Sequence, residues 1–355
     1  MTVVNAIRFN EYSGAMVCDE QVSWGDMSRK GDVGDKIQTI IPPEIQNEYG
    51  VVAAYGGSGT SAVSEEIKTA AYNMLREEAM RRKKQRMTSK KFMTIQNIAD
   101  GIFENLSEMK RRHVDEFLKH RYGFTGADLI RGFYMGDKGK TEIQQKEIID
   151  DAQAAMTWRG RYPQLSFLYV NRGILSGYEP EQGFRIFYFN MMTFSYEPVQ
   201  AVFQSIGSGQ DTSDLAFADF VSAKTVQERR DHLDPVESMV SIIYATNLAS
   251  TNNIGVGGYY NIVVIDGHKP HDQRLLEIAD ERAKLASETV AAYKAEIITK
   301  KLAFDIVGEV ILGDTGFQNA ERSLFKRCRS AKALSRFLRG YKPEENILAK
   351  SGNKK

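Results

Sequence analysis

The 355-residue chain is poor in cysteine, with only Cys18 and Cys328. Two cysteines make no disulfide framework and fit a reducing compartment. Histidine is scarce as well. His113, His120, His232, His268 and His271 show no H-E-x-x-H or other ligand spacing, and C-x-x-C is absent, so the sequence carries no metal motif. No stretch approaches the roughly 18 apolar residues of a membrane span. The first residues lack the basic and apolar segments of a secretory leader. Net charge of either sign is missing too: the formal value is +1, which excludes wholesale adhesion to nucleic acid or membrane. A cytoplasmic protein without metal or cofactor is expected.

Local charge is less even. Residues 81–86 read RRKKQR, and from Arg322 to Lys342 there are eight Lys/Arg and no Asp/Glu. Such runs are usually solvated helix faces; the other reading is a docking surface for an acidic partner or nucleic acid. Apolar residues at 42% and charged residues at 26% are ordinary globular values, enough for a sizeable core.

Residues 2–9 (TVVNAIRF) and 15–19 (AMVCD) flank Ser13-Gly14 and read as a hairpin. A Gly/Asp-rich loop (WGDMSRKGDVGD), KIQTII, a Pro42-Pro43 turn and YGVVAAY follow. Helical spacing begins at Val63, with Ile67, Ala70, Ala71, Met74, Leu75 and Ala79, and recurs over about 95–120. Residues 123–162 fit no simple pattern and read as an insertion carrying a polar helix. Strands resume at PQLSFLYVNRG, GFRIFYFN and VQAVFQSIGSG. Helices are expected near 212–224 and 234–250, then a GGYYNIVVIDG strand, with everything after His271 helical. Segregated strands and paired helices predict an α+β fold, two antiparallel sheets stacked between helix layers.

The GGSGTS loop at 56–61 has the place of a phosphate loop between strand and helix but lacks the Walker lysine. GVGG at 255–258 signals only a turn or close packing. Position 2 is more informative. Removal of Met1, favoured before a small residue, leaves Thr2 with a hydroxyl and a free α-amine. That amine has an ordinary pKa near ~7.7–8.0 and can take the hydroxyl proton, the arrangement of an N-terminal threonine nucleophile. A small second residue alone signals no more than processing. Its neighbours add to it: Asp19 ends the antiparallel strand, and Lys36 opens the next one. A lysine near Thr2 lowers the proton affinity of hydroxyl and amine, and an aspartate fixes that lysine. Gly56, after a buried strand, lets a backbone N–H approach a developing oxyanion.

In the order TVVNAIRF, AMVCDEQVS, DKIQTII, VVAAYGGSGTSA, SIGSGQDTSDLAFADF and GGYYNIVVIDG, the chain resembles the proteasome β-subunit family of N-terminal-nucleophile hydrolases, which includes a simpler bacterial peptidase docked on an unfoldase ATPase. The resemblance spans about residues 2–267. It implies a four-layer αββα sandwich over residues 1–268, interrupted at 123–162, with a helical extension over 269–355. It implies Thr2 as nucleophile, Asp19 and Lys36 as the supporting pair, Gly56 as oxyanion donor and Ser208 beside the amine. Val22, Gln38, Ala54 and Ser58 would line an open substrate pocket. Asn253 and Val256 stand where the family has Asp and Ser, and the Lys36–Gly56 interval is longer than usual.

A threonine peptidase or amide hydrolase is therefore expected, acting on a peptide or protein. Two alternatives stay open: transfer of the acyl group to an amine by a transpeptidase, ligase or small-molecule acylase, and a catalytically silent structural subunit. The resemblance also implies a homo-oligomer, a ring by analogy, and by analogy alone an ATPase partner; it implies neither a membrane nor a nucleic-acid partner.

Overall fold

Short runs of alternating apolar residues set the frame. In the computed structural model, residues 2–24, 29–31, 36–87, 92–136, 139–157, 165–253, 256–313, 315–338 and 341 are described. The chain opens with β1 (Val3–Arg8), β2 (Ser13–Asp19), β3 (Val22–Trp24), β4 (Arg29–Gly31) and β5 (Ile37–Thr39). Next come α1 (Pro43–Tyr49), β6 (Val52–Ser58) and two long helices, α2 (Ser61–Lys84) and α3 (Ile95–Tyr122). Then follow α4 (Gly126–Arg131), the hairpin β7 (Phe133–Gly136) and β8 (Gly139–Glu142), α5 (Lys146–Thr157) and the single turn α6 (Ser166–Tyr169). Four strands succeed them: β9 (Arg172–Glu179), β10 (Gly183–Asn190), β11 (Ser195–Pro198) and β12 (Phe203–Gly207). Helices α7 (Gln210–Ser222), α8 (Val226–Asp231) and α9 (Pro235–Asn252) precede β13 (Tyr260–Asp266) and β14 (Leu275–Ile278). The last described helices are α10 (Glu281–Lys294), α11 (Lys300–Val307), α12 (Phe317–Arg327) and α13 (Ala331–Phe337).

This is a mixed α/β structure with antiparallel sheets. One five-stranded sheet runs β12-β1-β2-β13-β14 and the other β11-β10-β9-β6-β5. Strand alternation sends β1 side chains to two different cores. Val4 and Ala6, with Met16 and Cys18 of β2, join Ile37, Val52, Ala54 and Ile174 of the other sheet in one cluster. Ile7, Ala15 and Val17 instead join Phe217, Ile242, Leu285, Leu302 and Leu334 from the helices. The second sheet's other face, with Ala53, Tyr55 and Phe187, is covered by Ile67 and Leu75 of α2 and Ile98 and Leu106 of α3.

Four expectations are corrected. Pro42-Pro43 opens α1, with a proline at the first helical position, where its missing N–H costs nothing. Of the run 163–173, residues 163–164 lie outside the described residues and 165–171 are not a strand: 166–169 form a helical turn closed by Asn171 Nδ2 donating to the Leu168 carbonyl at 2.9 Å, and the strand begins at Arg172. Of the Gly/Asp-rich loop at 24–35, Trp24 ends β3 and 29–31 form β4, which pairs with β3 and sets Val22 opposite Gly31, while 25–28 and 32–35 lie outside the described residues. The region after His271 is not all helical, because β14 pairs Leu275 with Ile265 and extends the first sheet.

Candidate active site

Pairing of β1 with β2 in the register Val4↔Cys18 brings Asp19 opposite Val3, the residue after Thr2. Asp19 has no exposed side-chain surface, and its carboxylate is fully occupied. Oδ1 lies 2.8 Å from Lys36 Nζ and accepts the Val3 N–H at 2.8 Å. Oδ2 accepts the Gly257 N–H at 3.0 Å. Burial pushes the Asp19 carboxyl up from its ordinary value, and the Lys36 ammonium leads the groups that pull the other way. A buried charge is retained only when paired and hydrogen-bonded, and this one has three partners from three parts of the chain.

The IGSGQ stretch holds Thr2 from the other side, because β12 is the other neighbour of β1 and pairs Gly207 with Val3. Gly207 has φ +97°, and a Cβ there would lie 2.1 Å from the Thr2 carbonyl oxygen, so only glycine fits. The Thr2 N–H donates to Ser208 Oγ at 3.2 Å, and the Gly209 N–H donates to the Thr2 carbonyl at 3.3 Å. The structure thus brings Thr2, Asp19, Lys36 and Ser208 into one chain of contacts. Met1 lies outside the described residues, and the Thr2 nitrogen is a peptide nitrogen until Met1 is removed.

Gly56 is placed differently from the expectation. The Gly57 N–H donates to the Lys36 carbonyl at 2.9 Å, on the β5 side. Alternation therefore turns the neighbouring Gly56 N–H to β9, where Gly56 pairs with Ile174. The assignment of this amide as oxyanion donor is corrected: the group is committed to the sheet. Gly56 owes its identity to packing, since a Cβ would lie 2.6 Å from Val4 Cγ1 and 2.8 Å from Met16 Cε.

The four pocket candidates do not share one face. Ala54 faces the inter-sheet cluster. Gln38 stands opposite Tyr55 on the other side of its sheet and donates to Glu65 of α2. Ser58 is buried at the end of β6. Val22 is placed by its backbone in β3, and its side chain lies outside the described residues.

Asn253 and Val256 have structural roles. The Asn253 amide donates to the Ala249 carbonyl at 3.1 Å, and Val256 is buried against Val3 and Ala249. The residue that sequence reasoning missed here is Gly257, whose N–H reaches Asp19 and whose carbonyl accepts the Gln21 N–H at 3.0 Å. Its signal was the GVGG stretch, read only as a turn. Among the described residues no group of three or more His, Cys, Asp or Glu could hold a metal ion.

No family model matches the chain, and no curated protein matches it. It is similar to the solved structure of Anbu (ancestral beta-subunit) from Yersinia bercovieri, at 10% identity and a TM-score of 0.48, covering 83% of this chain and 96% of that one. It is also similar to an Anbu (Gly-1) mutant from Hyphomicrobium sp. strain MC1, at 12% identity and a TM-score of 0.49, covering 83% and 97% respectively. The assignment to the proteasome β-subunit family is corrected accordingly: no family model or curated relative stands behind it, and the similar structures are named Anbu.

Proposed function

We propose that the protein is an amide hydrolase, a threonine peptidase, whose nucleophile is Thr2 after removal of Met1. The observation that carries this reading is the contact chain Lys36–Asp19–Val3 beside the Ser208–Thr2 hydrogen bond. In this reading the freed Thr2 amine takes the hydroxyl proton, and Oγ attacks the amide carbonyl. The amine then delivers that proton to the leaving nitrogen as the C–N bond breaks, giving an acyl ester. Water, deprotonated by the same amine, attacks the ester and releases the acid with the Thr2 hydroxyl restored. Lys36 supplies positive charge for the hydroxyl and the developing oxyanion, since the Gly56 N–H is committed to β9. Asp19 keeps that ammonium in place, and Ser208 orients the amine.

The same proposal takes a peptide or protein as substrate and a homo-oligomer as the working form. It reads the three apolar clusters as the interiors of a four-layer αββα sandwich. It divides the chain into residues 1–268, with an insertion at 123–162, and an extension over 269–355 that begins with β14 and continues in helices. Among the described residues no helix is long and apolar enough to cross a membrane.

The test is acylation by an activated amide or ester of a short peptide, followed by product analysis with and without a competing amine. Acylation is expected to rise with pH through the ordinary α-amine range, about 7.7–8.0. Thr2→Ser is expected to retain acylation, and Thr2→Ala to lose it while keeping the fold. Free acid as the main product supports hydrolysis, and an amide of the added amine indicates acyl transfer. Wild-type protein that has lost Met1 and is never acylated would indicate a silent subunit.

A further inference from the structure

A second place in the molecule has the character of a ligand site, and it lies away from Thr2. A cavity of about 390 Å³ opens between α3, α4, α5 and the β10–β11 turn. Its apolar wall is Val114, Ile130, Met156 and Phe194, and its cations are Lys110 and Arg111. Arg111 is paired with Glu108 at 2.8 Å. Lys110 has no such partner: among the described residues no carboxylate lies within ion-pairing distance of its half-buried ammonium. Two aromatic faces hold it instead, Phe194 with its centroid at 4.1 Å and Tyr169 at 5.5 Å. Asp115, the acid on this wall, accepts the Gly126 N–H at 2.8 Å.

The ammonium is thus fixed in place and partly desolvated without being neutralised. Burial lowers its pKa, and no opposing charge raises it. Cation–π contact offsets part of such a cost but leaves the N–H donors available. Phe194 is held at a left-handed φ of 53° by the β10–β11 turn, where Asn190 Oδ1 accepts the Met192 N–H at 2.9 Å. Ile130 is 79% exposed at the cavity mouth, and with Met156 it also lines an adjoining cavity of about 710 Å³. Cavities of roughly 300–1,000 Å³ with apolar walls and a few fixed polar groups are the usual form of small-ligand sites.

From these features we propose that the groove binds a small monocarboxylate with an apolar tail. Its carboxylate accepts from Lys110 Nζ, and its tail lies along Val114, Ile130 and Met156. The charge complementarity selects the headgroup, and the exposed Ile130 and shared Met156 select the tail. No covalent step is involved, and the site is independent of the proposed chemistry at Thr2.

The probe is decanoate below its micelle concentration, titrated into the full-length protein, with decan-1-ol as the uncharged comparison. Decanoate is expected to bind at least about tenfold more tightly than the alcohol, the value of one charge-assisted hydrogen bond. Lys110→Met is expected to remove that difference while leaving the alcohol's affinity unchanged, and Lys110→Arg to keep it. In protein carrying labelled methionine methyls, the Met156 resonance shifts on titration and that of Met80, exposed on α2, does not. Equal affinity for acid and alcohol, unchanged decanoate binding by Lys110→Met, or a stationary Met156 resonance overturns the proposal.

Discussion

A carboxylate with no exposed surface must be compensated inside the protein, and Asp19 shows how completely. Lys36 supplies the opposite charge, and two backbone N–H groups take the remaining lone pairs. Removing one partner leaves the other buried and alone, which typically costs about 3–5 kcal/mol. Lys36→Met is therefore expected to lower unfolding stability by about that much, and Asp19→Asn/Lys36→Met to recover part of it. Urea titrations of Lys36→Met, Asp19→Asn and the double variant check this; a double variant whose loss equals the sum of the two single losses would mean that the ion pair carries no coupling. Thr2, Asp19 and Lys36 were legible in the sequence because each stands at the start or end of a recognisable strand; register brings Asp19 to the chain start, and packing of the two sheets brings Lys36, just before β5, to Asp19. The direction of the Gly56 N–H was not legible. It depends on which neighbour takes each alternate amide, and that follows from pairing with β9, which lies more than 100 residues away.

Among the elements, β12 and the turn after it do most to place the chain start. Gly207 combines a left-handed φ with a backbone contact that no side chain tolerates. Gly207→Ala is expected to cost about 1–3 kcal/mol through strain and overpacking. It is also expected to slow acylation more than the stability loss alone accounts for, because the displaced atom is the Thr2 carbonyl. Thermal midpoint and acylation rate measured on the same sample separate the two effects; an unchanged rate would mean that the turn does not position Thr2. Long helices such as α2, α3 and α9 were readable from apolar residues recurring at three and four. Short elements escaped. The three-residue strands β3 and β4 and the four-residue β14 offer too little alternation to stand out from a loop. Leu165, Leu168 and Tyr169, all buried, mimic a strand where the chain makes a helical turn.

At the scale of the molecule, the extension proposed over 269–355 shares its packing with the rest of the chain. Leu285, Leu302 and Leu334 lie in the same cluster as Ile7 and Ala15 beneath the first sheet, and β14 is that sheet's edge. Leu302→Ala, at a site 5% exposed, is expected to cost about 2–5 kcal/mol. Native-state hydrogen exchange is expected to show the loss in β2 amides as well as in α11. Loss of protection confined to the helices after Ile278 would mean that the extension unfolds on its own.

The most direct test of the central claim, that the uncapped chain end serves as base for its own hydroxyl, is the intact mass of the purified protein before and after a β-lactone electrophile. The expected result is a chain lacking Met1 that gains a single adduct, mapped to Thr2 and absent from Thr2→Ala. Retention of Met1, or equal labelling of Thr2→Ala, would contradict it.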